Sequence, residues 1–548
     1  MNPARVRTLL VLVLVFVACA IVLYFAMSSN NVQEATQNQD TFGPRQSEAA
    51  AEPEPSRTKS PYWSDPAGVG QPYGDKVPGL ITFRGNPTRT YYGGGTVTRD
   101  QPATAWTYPR SGGMCGISDP GTGPVQWCGT GWTGQPSVFE REGKTWLVFG
   151  AYDYAVHFVN AETGKDILAP FKTGDIIKGS VTVDPDGYPI VYSGSRDNYI
   201  RAIAIDGSEP RELWRLSADA VSPTMWNNDW DGSPLIIDDY LFEGGENSQI
   251  HIVKLNRGYD KSGKVTLDPE LVFNAPGWDD QLLSDHGSNQ VSIENSVSIY
   301  EDTLYFSNSA GLVQGWDIKG LKDGKTPKRV FRFWTGDDTD ASVVIDEEGY
   351  LYVGSEYEKG NSRSKEVGQL MKLDPRKKND PIVWSIKDSH YLPGGIWGTP
   401  GLYQDVVLFG TNEGRVAAAD RESGRILWEK HLSGQTWQSP SVVDDVLVMG
   451  DCGGDLYGYD MADPRQDPPQ LWKVHLGGCI ESTPAIWGGG IYVGTRDGKM
   501  FALRAPGDGI VTESGSSQAP ADTGAQATEP ESVPPSAAPD PASDGATT

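Results

Sequence analysis

Basic residues are scarce in this chain. Only 46 Lys and Arg stand against 72 Asp and Glu among 548 residues, a formal net charge of −26. That deficit argues against nucleic acid or an anionic lipid surface as a partner of the folded part and leaves basic peptides, cations and polysaccharides open. Helical periodicity is missing as well: between residues 79 and 505 no ten-residue stretch carries an i, i+3, i+4, i+7 apolar stripe, which excludes a helical domain. There is no CxxC pair, so zinc-ribbon and thioredoxin-like chemistry are excluded. The six histidines never fall at metal-ligating spacings. The segment GYDKSGKV (258–265) approaches a P-loop, but Val265 stands where Ser or Thr is needed and no helix follows.

Long apolar runs are absent too, with one exception. Residues 8–27 are almost uninterruptedly apolar and follow Arg5 and Arg7. At about 1.5 Å per residue they span a hydrocarbon core of about 30 Å. Positive charge on the N-terminal side predicts a cytoplasmic N-terminus (1–7), a transmembrane helix (8–27) and an extracellular or periplasmic remainder. A cleaved signal peptide and a lipoprotein box ending at Cys19 are the rivals; the AIVLYFAM that follows Cys19 favours a retained anchor. Residues 28–78 read as a flexible linker and 506–548, rich in Ser, Ala, Pro and acid, as a disordered tail.

What is present is a repeat. TGQPSVF, KGSVTVD, DGSPLII, ENSVSIY, DASVVID, WGTPGLY, WQSPSVV and ESTPAIW recur with their fourth residues at Pro136, Val181, Pro234, Val297, Val343, Pro400, Pro440 and Pro484. Each is followed by an apolar run ending in Gly or Asn, a third strand ending in a turn residue, and usually a fourth with a bulky aromatic. Units of about 40–50 residues made of short strands predict an all-β, eight-bladed β-propeller over 79–505. Seven blades with an insertion is the competing reading, because the unit from Asp231 is long. The last unit lacks an outer strand, while an orphan outer strand surrounds Trp106. The N-terminal strand is therefore expected to complete the last blade and remove an open sheet edge.

The turns between second and third strands and the linkers between units crowd one rim of such a ring. Candidate ligand-binding residues there are Trp226, Asn228, Asp229, Trp230, Glu246, Asn247, Asp285, His286, Asp338, His390, Trp397, Trp437 and Glu481. Turn chemistry alone also selects Asp, Asn and Gly at such places. Asn227, Asp229 and Asp231 before Gly232 follow part of the calcium-loop pattern, with Asp238 at its twelfth position, so calcium is the candidate ion. Asp337, Asp338 and Asp340 form a second acidic cluster. His286 and His390 could act as general bases beside Asp285 and Asp388. Cys115–Cys128 and Cys452–Cys479 are the expected disulfides: the first pair brackets a loop with no strand pattern of its own, and the second lies on turns of one face.

The units 398–428 and 439–472, with their TP or SP opening, a second strand ending in Gly and a closing Trp, resemble the pyrroloquinoline-quinone-type repeat, as does RGNPTRTYYG (84–93). The whole is similar to membrane-anchored propellers of Gram-positive actinobacteria. The resemblance spans roughly 79–504 and implies tryptophans docked between blades, here Trp106, Trp214, Trp384, Trp428 and Trp472. Two functional classes share the repeat. Quinoprotein alcohol dehydrogenases hold the quinone and calcium over the channel, with an adjacent cysteine pair that this chain lacks; envelope-assembly scaffold lipoproteins carry no cofactor. The expectation is a monomeric propeller without a cofactor that binds an envelope protein or glycan. The alternative is a dehydrogenase of alcohols or sugars dependent on pyrroloquinoline quinone and calcium.

Overall fold

Residues that alternate or run continuously apolar, punctuated by Gly, Asp and Asn, form strands joined by hairpins. The computed structural model describes residues 60–121, 123–131 and 134–508. Among these, eight sheets each carry four antiparallel strands: 137–172 (blade 1), 182–217 (blade 2), 235–276 (blade 3), 298–334 (blade 4), 344–386 (blade 5), 401–431 (blade 6), 441–475 (blade 7) and 485–504 (blade 8). Blade 8 takes its outer strand from Ala103–Tyr108, which pairs antiparallel with Lys499–Arg504. The eight-blade reading stands, and the long unit at Asp231 is a blade with an added hairpin, Gly258–Tyr259 with Val265–Thr266.

Burial explains the strand patterns. Second strands such as Val406–Gly410 and Val446–Gly450 are buried throughout because neighbouring blades cover both faces. Outer strands such as Ile426–His431 alternate, since one side meets solvent. Separate apolar cores fill the junctions between successive blades, including the junction of blade 8 with blade 1 built on Trp106, Leu147 and Tyr492. A bulge recurs beside the outer-strand aromatic, as at Ala202/Ile203 opposite Trp214 and at Ala418/Ala419 opposite Trp428. The extra residue turns the ring toward the next blade. Trp106 then donates to Ala161 O (3.0 Å), Trp384 to Arg421 O (3.0 Å) and Trp428 to Pro464 O (2.9 Å). Trp472 reaches Thr98 O (2.9 Å), and Trp214 is half-buried against the core between blades 2 and 3.

The segment 79–94 has a role its sequence did not suggest. Gly79–Leu80 pairs with blade 1 and Gly93–Gly94 with blade 8. Between them, Ile81 O accepts from Val183 N (2.8 Å), Pro87 O from Ile299 N (2.8 Å) and Thr88 O from Ile345 N (3.2 Å). Phe83 N donates to Ser233 Oγ (3.1 Å). Fully buried Arg84 donates to Pro440 O (3.0 Å) and Pro400 O (3.3 Å), and Arg89 to Val297 O (2.9 Å). The segment thus touches all eight blades and plugs the ring from within. Its ends need glycine: at Gly79 (φ 154°) and Gly93 (φ 136°) a Cβ would strike Val138 O and Ile486 O.

Two expectations change. Residues 60–78 are not a free linker, because Trp63 is buried against blades 3 and 4 and donates to Ile318 O (2.9 Å). The 115–128 segment is not patternless, because Cys115–Ser118 and Val125–Cys128 form a hairpin whose disulfide joins directly opposed residues. Cys452–Cys479 forms as expected. Among the described residues no helix is long and apolar enough to cross a membrane. The apolar run at 8–27, linker residues 28–59 and tail residues 509–548 lie outside the described residues.

Candidate functional site

The first letter of each repeated opening marks one position per blade at the rim. In chain order after residue 133 these are Lys178, Asp231, Glu294, Asp340, Trp397, Trp437 and Glu481. Because every opening leads into the innermost strand, the residue before it lies beside the channel mouth. Glu294, Asp340, Trp397 and Trp437 line one small pocket of about 20 Å³, with Phe83 of the plug in its wall. Three of the seven, Trp397, Trp437 and Glu481, are among the candidate binding residues, Asp231 falls in the calcium pattern and Asp340 in the second acidic cluster, but only their shared place at the head of the openings marks the seven as a set.

Around this ring the charges are grouped. Lys178, from the linker into blade 2, sits 3.0 Å from Asp229, 2.6 Å from Asp231 and 2.8 Å from Glu246, all four buried. Burial works against the ammonium, but the three carboxylates outweigh it and hold Lys178 well above the usual lysine range. Arg196 lies 3.7 Å from Asp229. Two members of the expected calcium triad, Asp229 and Asp231, are therefore brought together with Glu246 around a lysine. The third, Asn227, instead accepts from Asn228 N (2.9 Å), and Asp238 pairs with Lys322. The pattern was read from one loop; the ammonium that meets it comes from the neighbouring blade.

A second triad lies between blades 4 and 5. Asp338, Asp340 and Glu356 each place a carboxylate oxygen within 4.8 Å of the others. Burial pushes Asp338 up to about 8 against the pull of Lys359. Burial and then the charge of Asp338 drive Asp340 and Glu356 well above the carboxylate range. Glu481 is matched by Arg496 at 2.9 Å, which lies over Trp127 and Tyr152.

The other candidates have varied fates. Trp397 and Trp437 stack on each other at 5.0 Å and 14°, and Trp437 Nε1 donates to Asn412 (2.6 Å). Trp230 is fully buried against His251, and buried Asn247 donates to Ala218 O (2.7 Å). Trp226 projects from the rim, 41% exposed. Asp285 and His286 lie on a short helix, Asp280–His286, capped by Asp279, which the sequence reading missed. Asp285 accepts from Gln281, while burial and then Lys359 push His286 down to about 4, so the two form no dyad. His390 is exposed, and Asp388 is bonded by Arg415.

The quinone expected under the alternative reading fits these residues poorly. The tryptophan faces are turned to each other, and no two of the five cysteines are adjacent.

A family model described as outer membrane protein assembly factor BamB matches residues 366–529. Proteins of that name from Nitrosomonas eutropha and Shewanella oneidensis are 26% identical over 234 residues and 31% identical over 108. These alignments take in 40% and 18% of this chain but only 48% and 25% of the relatives, so the chain spans half or less of their length. Among solved structures, quinohemoprotein alcohol dehydrogenase from Comamonas testosteroni superposes with a TM-score of 0.50 at 12% identity, covering 82% of this chain and 83% of that one. BamB from Moraxella catarrhalis gives 0.46 at 15%, covering 68% and 94%. Identities this low speak to fold alone. With its repeats, its eight blades and its docked tryptophans, the chain is an eight-bladed β-propeller whose repeats are similar to the pyrroloquinoline-quinone type.

Proposed function

We propose that the propeller is a binding module for a protein of the cell envelope and that the partner docks on the rim carrying the tryptophan pocket. One observation carries this reading: four of the eight exposed large apolar side chains among the described residues lie on that rim. Trp226 (41% exposed), Tyr391 (66%) and Leu392 (60%) lie on its linkers, and Ile117 (64%) tops the disulfide-bonded hairpin held there by Tyr154. Apolar side chains on a rim otherwise rich in acid mark an interaction surface. The plug leaves the rim, rather than a through-channel, as the place for a ligand. The assembly-factor name of the matched relatives supports a protein partner. The run at 8–27 would anchor the chain, with the propeller on the outer or periplasmic side.

A photo-crosslinking residue placed in intact cells at Trp226 or Tyr391 is expected to capture a discrete protein. The same residue at Val383, 42% exposed on the outer strand of blade 5, is expected to capture none. Equal capture at both places, or capture at Val383 alone, overturns rim docking. Capture of cell-wall glycan instead of protein would replace the partner class.

A further inference from the structure

The two acidic triads are the same construction repeated. Asp229, Asp231 and Glu246 stand in the linker into blade 3 and its following turn; Asp338, Asp340 and Glu356 stand at the matching places for blade 5. Each set brings three carboxylate oxygens within 4.8 Å. They differ in what the preceding blade supplies. At the opening of blade 2 the first letter is Lys178, whose ammonium bonds all three acids at 2.6 to 3.0 Å. At the opening of blade 4 the same position is Glu294, which lines the pocket together with Asp340. A fourth acid stands where the twin has its cation.

Among the described residues no ammonium or guanidinium bonds all three acids of the second triad. Asp338 Oδ1 and Glu356 Oε1 are buried without a hydrogen-bond partner, in residues 6% and 2% exposed. Lys359 comes only to 3.8 Å of Asp338 and also points to Ser309 O at 3.5 Å. Half-buried Glu294 accepts from Ser292 Oγ (2.6 Å) and Ser309 Oγ (3.0 Å), and its charge bears on Asp338 and Asp340 as well as on Glu246 and Lys178 of the first triad. Buried carboxylates that outnumber their counter-charge, here the single Lys359, cost several kcal/mol as ions. They are relieved either by taking up protons or by binding a cation.

We propose that Asp338, Asp340 and Glu356, faced by Glu294, form a binding site for a divalent, oxygen-preferring cation of the calcium class. The donors are all carboxylates, which suits a hard ion rather than zinc or copper. The pocket beside Asp340, about 20 Å³, gives an entry path and room for about one water ligand. The site is independent of what docks on the rim.

Terbium is the probe. Trp397 and Trp437 line the same pocket as Asp340, so excitation of tryptophan in the full chain stripped with chelator should sensitise terbium emission, and calcium should quench it by displacement. Asp340→Asn with Glu356→Gln should lose that emission, and should also lose a melting temperature that climbs with the logarithm of calcium concentration in the parent. Neutralising two of four neighbouring acids is expected to leave this double variant folded and no less stable without metal. If it does not fold, Glu294→Gln serves in its place, with affinity expected to fall at least roughly tenfold. Absence of sensitised emission in the parent, or emission and calcium response unchanged in the variants, overturns the site.

Discussion

The junction of blades 2 and 3 and the junction of blades 4 and 5 share a scaffold, a spacing and three acids, yet one is closed by an internal ammonium and the other faces Glu294. A single position in the repeat, Lys178 against Glu294, separates a finished ion cluster from an open one. The comparison teaches that a carboxylate triad in this fold does not by itself mean a metal; the neighbouring blade decides. It also shows that two acids of a calcium pattern read along one loop, Asp229 and Asp231, meet an ammonium supplied by the neighbouring blade.

The comparison can be broken most forcefully at Lys178. Replacing it with Met removes the ammonium that the three buried carboxylates share and leaves them Arg196, 3.7 Å from Asp229; breaking a buried pair from one side costs about 3–5 kcal/mol. Urea unfolding in chelator should register that loss, and calcium should restore part of it, because the variant now has two open triads. A loss below about 1 kcal/mol would mean that the acids were already neutral and the ammonium dispensable.

The reciprocal change, Glu294→Lys, should finish the second cluster. It is expected to raise stability in chelator by about 1–3 kcal/mol, the range of hydrogen bonds to charged groups. It should also abolish the calcium-dependent rise in melting temperature. Retained calcium dependence would show that the ion sits elsewhere.

The smallest effect is in pH. Asp338 is held up to about 8 by burial, so the native state keeps a proton that the unfolded chain releases near pH 4. The stability this contributes is complete below that value and is lost as pH rises through about 8, with a slope of up to about 1.4 kcal/mol per unit. Without calcium, unfolding midpoints should fall between pH 5 and 8; Asp338→Asn should flatten that slope. A parent already flat over this window contradicts the buried proton. His251 works at the acid end: burial pushes it down to about 4, so stability present above pH 6.5 is lost as pH falls through about 4.

Much of the architecture was legible because it is local and repeated. The openings, the second strands ending in Gly and the outer-strand aromatics recur along the chain, and each recurrence reports a strand whose burial depends on its place in the blade. The missing outer strand of the last unit identified its own replacement around Trp106. The disulfides followed from the turns that carry them. The plug left no such trace. Residues 81–92 spend their polar groups on carbonyls and hydroxyls of separate blades, so no strand or helix period marks them. The helix at 280–286 is too short for a stripe and rests on its Asp279 cap.

Taken alone, the amino-acid order determined the number of blades, how the ring closes and which letters stand at its mouth, because strand periodicity and turn chemistry act over a few residues. Only the tertiary structure decided what those letters meet. Lys178 finds Asp231 across 53 positions, and Arg84 finds Pro440 across 356. Charge pairing of that kind depends on distance in space, which closure of the ring sets and sequence spacing does not.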